Sequence, residues 1–95
     1  MENNNVELAR EKVTANMADN LAMLRTKLGL TQVQLANLIG VSRHTIMQVE
    51  NKKAKLSWNI FLSLLLVFIK NPDTNKLLNI LEIYTEDLNN ELKLK

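Results

Sequence analysis

The chain is 95 residues long, 46% hydrophobic and 23% charged, with a formal net charge of +2, proportions that fit one globular domain able to bury a modest core. It has no cysteine and a single histidine, His44, which excludes disulfides, thiolate nucleophiles and multi-histidine metal sites, so no metal and no cofactor is expected. With two glycines and one proline, a turn-rich all-β fold is disfavoured and an all-α fold is expected. The opening Met-Glu-Asn-Asn-Asn lacks the basic-then-apolar pattern of a signal peptide, so a cytoplasmic location is expected. The charge is unevenly spread. Residues 20–72 hold seven basic groups against Glu50 alone, a net +6, while the flanks hold five basic and nine acidic groups, a net −4. A basic middle between acidic ends suits a nucleic-acid face, although a solvated basic loop would look the same.

From Val6 onward, Val6, Leu8, Ala9, Val13, Met17, Leu21, Leu24 and Leu28 recur mostly at steps of three and four, which reads as helix. Asn16 and Asn20 are weak helix formers. The spacing predicts a short helix over about 5–15 and a core helix over about 17–28, with one continuous helix as the rival. Gly29 suits a left-handed cap that lets Leu30 fold back on the core. Thr31 then caps a second helix, and Gln34 completes a capping box. Val33, Leu35, Ala36 and Ile39 give this helix its apolar side, with Ala36 small where another helix must cross. Gly40 supplies the positive φ of a sharp turn, Val41 plugs that turn, and Ser42 caps a third helix. In the third helix Ile46 and Val49 face inward, leaving Arg43, His44, Met47 and Gln48 on other faces.

Asn51-Lys52-Lys53-Ala54-Lys55 is a basic loop. Ser57 caps a helix from Trp58 to about Lys70 whose apolar run, Ile60 to Ile69, is too short to span a bilayer. A helix apolar on nearly every side must be covered on nearly every side. The helix-turn-helix can cover one side. Asn71 as cap and Pro72 at the first position open a last helix, on which Leu77, Leu81, Tyr84 and Leu88 form a stripe while Glu82, Glu86, Asp87 and Glu91 stay wet. That stripe suits either packing on the preceding helix or pairing with a second copy.

The pattern Leu24-Arg25 … Leu30-Thr31-Gln32-x-x-Leu35-Ala36-x-x-Ile39-Gly40-Val41-Ser42-Arg43-x-x-Ile46-x-x-Val49-Glu50-Asn51 resembles the Cro/repressor-type, or XRE-like, helix-turn-helix of phage and bacterial regulators. The resemblance spans about Leu21 to Phe68; one departure is Leu56 where the family usually has proline before the next helix. It implies a compact lambda-repressor-like domain of five to six helices. Residues 17–70 would form the DNA-binding core; the outer segments match no part of that pattern, and their apolar spacing is what makes residues 1–16 an expected N-terminal helical extension and residues 71–95 an expected C-terminal dimerisation helix. The resemblance also implies site residues. Arg43, His44, Gln48 and more weakly Met47 match positions that point at base edges; an arginine forks onto guanine and a glutamine onto adenine, each pair worth about 1–3 kcal/mol of discrimination. Thr31, Gln32, Thr45, Asn51, Lys52, Lys53 and Lys55 would hold phosphate, which positions the protein without reading sequence. Arg25 and Glu50 would form a buried structural ion pair.

The expected function is a sequence-specific DNA-binding transcriptional regulator, a repressor that binds a palindromic operator in double-stranded DNA as a homodimer. Leu77, Leu81, Tyr84 and Leu88 are the expected dimer interface. A protein partner or peptide effector fits beside this, and the alternative is an antitoxin or another protein-binding regulatory module on the same fold. No catalytic constellation appears, so an enzyme is not expected.

Overall fold

The computed structural model describes residues 2–93; Val6, counted above in the apolar stripe, lies outside the side chains described. The first element is one helix, α1, Glu2–Lys27, so the predicted break near Asn16 does not occur. The reason is that both amides find acceptors without disturbing the backbone. Asn20 Nδ2 donates to the Asn16 carbonyl four residues back at 2.8 Å, and Asn16 Nδ2 donates to the Glu82 carbonyl at 3.0 Å. Val13, Met17, Leu21 and Leu24 make one continuous buried stripe.

The helix stops where the sequence places its cap. Gly29 has φ +71°, and the Leu30 and Gly29 amides donate to the Arg25 and Thr26 carbonyls at 3.2 and 2.9 Å, the paired bonds of a left-handed helix stop. Helix α2, Gln32–Ile39, opens on a full capping box: Gln34 N donates to Thr31 Oγ1 at 3.1 Å, and Thr31 N donates to Gln34 Oε1 at 2.9 Å. Gly40 has φ +80°, and a Cβ built there would meet nothing within 4 Å. Its requirement is therefore torsional, worth about 1–2 kcal/mol against any other L residue. Ser42 caps α3, Arg43–Glu50, by accepting from Thr45 N at 3.1 Å. Leu35 and Ala36 of α2 and Ile46 and Val49 of α3 are all buried, so the two helices share one dry seam.

Helix α4, Trp58–Lys70, buries Phe61, Leu64, Leu65 and Phe68. Asn71 takes the cap position with Pro72 at the first helical position, as expected, but its side chain makes no cap bond; it turns back instead, donating from Nδ2 to the Val67 carbonyl at 2.8 Å. Thr74, fully buried, donates its hydroxyl at 2.8 Å to the Phe68 carbonyl, which satisfies an acceptor in the last turn of α4.

The predicted long last helix is also corrected. After the single turn of α5, Pro72–Asn75, the chain runs through irregular turns until α6, Glu86–Leu92. Glu82 takes φ +57°, and the Ile83 amide donates back to the Leu78 carbonyl at 2.8 Å, which closes the coil and reverses the chain. Thr85 then starts afresh, accepting from Leu88 N at 3.2 Å, with Glu86 and Asp87 in the first turn of α6 where the helix dipole favours acids. Two competing helix ends thus interrupt the apolar periodicity. Leu78, Ile83 and Leu88 are buried, and Leu77, Leu81 and Tyr84 pack partly buried against the same core. The stripe assigned to a second copy does not exist as a helical face, and Leu88 is buried within its own chain.

This segment covers the second side of α4 and pins the first half of α1. The Arg10 guanidinium lies 4.6 Å above the Trp58 ring, with Nε 3.3 Å from Glu91, while Trp58 stacks on Phe61 at 5.0 Å. Lys12 Nζ sits 2.7 Å from Glu82. The described architecture is all helical and fits a lambda-repressor-like domain. No helix among the described residues is long and apolar enough to cross a membrane.

Candidate nucleic-acid interface

Ser42 ends in the extended region and its hydroxyl holds the first turn of α3. Arg43 and His44 therefore occupy the first two helical positions, and both are exposed. Met47 and Gln48 lie one turn further along and are half-buried. The row Arg43, His44, Met47 and Gln48 runs at three- and four-residue spacing opposite Ile46 and Val49, as one face of a helix must. Among the described residues, Arg43, His44 and Gln48 spend no side-chain donor or acceptor on the chain itself. Thr45, by contrast, is engaged: its hydroxyl lies 3.1 Å from that of Ser42.

The rigidity of this face comes from a buried polar cluster at the other end of α3. Arg25 grips Glu50 with two parallel bonds, Nε to Oε2 at 2.7 Å and Nη2 to Oε1 at 3.1 Å, and its Nη1 donates to the Leu30 carbonyl at 2.8 Å. The two side chains are only 14% and 6% exposed. Burial alone would push the Glu50 carboxyl up. Hydrogen bonds from Arg25 and Gln32, with the guanidinium charge, outweigh it and hold that carboxyl below the usual range. The bond to Glu50 raises Arg25 in turn. One cluster thus joins α1, the start of α2 and the end of α3, and fixes where α3 points.

Gln32 belongs to this cluster, because its Nε2 donates to Glu50 Oε1 at 3.0 Å. Its amide nitrogen points inward, which leaves the unpaired backbone N–H groups of the first turn of α2 as the donors open to an anion there. Thr31 likewise commits its hydroxyl to the cap. The basic loop divides in the same way. Asn51, Lys53 and Lys55 are exposed, whereas Lys52, in a left-handed conformation with φ +61°, reaches back to Asp19 of α1, Nζ to Oδ1 3.1 Å. Nothing in the local sequence around Asp19 signals that partnership. Behind the loop lies an open cleft of about 550 Å³, floored by Ala15, Ala18, Val49 and Leu56.

The arrangement presents a row of unspent polar side chains on one helix, exposed cationic and backbone donors on two flanking segments, and a buried frame beneath. No curated protein and no solved structure matches the chain. The helix-turn-helix domain family does match, over residues 16–68, which takes in the second half of α1, both helices of the motif and α4 as far as Phe68. With more than half of the chain inside that match, and every cap and turn of the motif in place, this protein belongs to the helix-turn-helix domain family, a family of XRE-like DNA-binding regulators.

Proposed function

We propose that the protein is a sequence-specific transcriptional repressor that reads operator DNA in the major groove through Arg43, His44 and Gln48, with Met47 against a base edge. The observation that carries this reading is the contrast along α3. Its inward and terminal side chains are packed or bonded to the chain, while the donors of Arg43, His44 and Gln48 have no use within it. Lys53, Lys55, Asn51 and the first turn of α2 supply phosphate contacts, which set register. The test is selection from random duplex DNA. A consensus is expected for the wild-type protein, and Arg43→Ala or Gln48→Ala should relax it at separate positions, each weakening the selected site by about 1–3 kcal/mol. Recovery of no consensus, or an equal loss on every sequence, overturns base readout.

One α3 covers only a few base pairs, so a palindromic operator read by a homodimer supplies the specificity one module lacks. With Leu88 consumed inside the chain, the contact is better placed on what remains outside. Leu66 on α4 is 59% exposed and Ile80 is 77% exposed, the latter beside the partly exposed Leu77 and Leu81. Sedimentation at micromolar protein should show a dimer that Leu66→Asp or Ile80→Asp converts to folded monomer. A monomeric wild-type protein would sink the dimer.

A further inference from the structure

We propose that Asp19 holds Lys52 away from the DNA backbone, so that the loop after α3 grips phosphate through Lys53 and Lys55 without its first lysine. The inference rests on the DNA-binding reading above and names the residue that limits it.

Three observations converge. Residue 52 lies four beyond Gln48 and eight beyond His44, so a continued α3 would carry it along the outward row. The backbone does the opposite. Lys52 adopts φ +61°, and the Lys53 and Lys52 amides donate to the Gln48 and Val49 carbonyls at 2.8 and 3.0 Å, closing the helix in the same double-bonded stop that glycine provides at residue 29. A lysine is accepted where glycine is the comfortable residue, and its direction is set by these bonds rather than by loop motion. The side chain leaves toward α1, where Asp19 meets it at 3.1 Å over the mouth of the cleft that Lys52, Lys55 and Asp19 line. Both groups are more than half exposed, at 62% and 57%, so the pair is wet and weak, and its effect is a bias. A phosphate contact strengthens binding to every sequence alike. Withholding one lowers the hold of the protein on non-operator DNA.

Anisotropy with a labelled mixed-sequence duplex tests this on the full chain, with salt varied from about 50 to 200 mM. Asp19→Asn should tighten binding about two- to fivefold at the lowest salt and steepen the log–log salt dependence by about 0.9, the signature of one more phosphate contact. Lys52→Ala alone should leave the slope unchanged, and Asp19→Asn with Lys52→Ala should restore the wild-type slope. The proposal is overturned if Lys52→Ala alone flattens the slope by that amount, since Lys52 would then already sit on phosphate. It is equally overturned if Asp19→Asn tightens binding at constant slope, which would mark simple charge repulsion. Failure of the wild-type protein to bind duplex at all would instead bring down the regulator reading, and this inference with it. Thermal melts confirm that each variant is folded.

Discussion

Glu50→Ala should cost about 3–5 kcal/mol of folding stability, because it leaves the Arg25 guanidinium buried without its counter-charge. Arg25 retains only the Leu30 carbonyl, and the Gln32 amide loses its acceptor. Replacing both members, as in Arg25→Met with Glu50→Leu, should recover much of that loss, since a buried ion pair gains little over apolar groups of similar size. Chemical denaturation of the two variants against wild type measures the difference. Equal losses from the single and the double change would show that packing, and not charge, holds the site. The same pair sets an acid response. The folded Glu50 carboxyl lies below its ordinary value, so the unfolded chain takes up its proton first. The contribution of Glu50 is complete above the ordinary carboxylate value of about 4.3 and is lost as pH falls from there through the folded value. Wild type should therefore lose stability in that acid range, and the double variant should lose less of it. In the functional direction, any variant that frees α3 from this cluster should lower DNA affinity even though the Glu50 side chain is itself buried, at 6% exposure.

Ile83→Ala and Leu88→Ala should each cost about 2–5 kcal/mol, the range for a large side chain removed from a packed interior. Both residues are essentially inaccessible, at 0% and 2% exposure. The distinguishing measurement is the midpoint of denaturation as a function of protein concentration. If Leu88 belongs to the core of its own chain, the loss is the same at every concentration. A loss that shrinks as concentration rises would return Leu88 to an interface between copies. This result bears on function, since it decides whether Leu88 helps to build the platform under the helix-turn-helix or belongs with Ile80 in a contact between copies.

The motif itself is legible in sequence because its signals are local. Thr31 with Gln34, Gly40, Ser42, and Ile46 with Val49 each act within one turn, and the structure keeps every one of them. The corrections fall where the partner is far along the chain. Asn16 reads as a helix breaker until its acceptor, 66 residues away, is known. Gln32 reads as a phosphate ligand until Glu50, 18 residues on, takes its amide. The left-handed turns at Lys52 and Glu82 carry no glycine to announce them, so a helix drawn through Glu82 satisfies the apolar spacing and is still wrong. Thr85-Glu86-Asp87 does carry a legible start signal, but hydrophobic period outweighs it unless the cap is given equal standing. What sequence conveyed of the site was therefore its outward row; which phosphate-side donors are spent elsewhere depends on tertiary neighbours.

The Arg10–Glu91 contact joins positions 81 residues apart, and this has a kinetic meaning. The α2–α3 turn and the stop at Gly29 need only short loops to close, so they form at small entropic cost. Bringing α6 onto the first half of α1 requires nearly the whole intervening chain to be in place, and it adds little to the rate of forming what lies between. The helix-turn-helix is thus expected to form early and the outer segments to dock last, an order that amide exchange slower in α2 and α3 than in α6 would support.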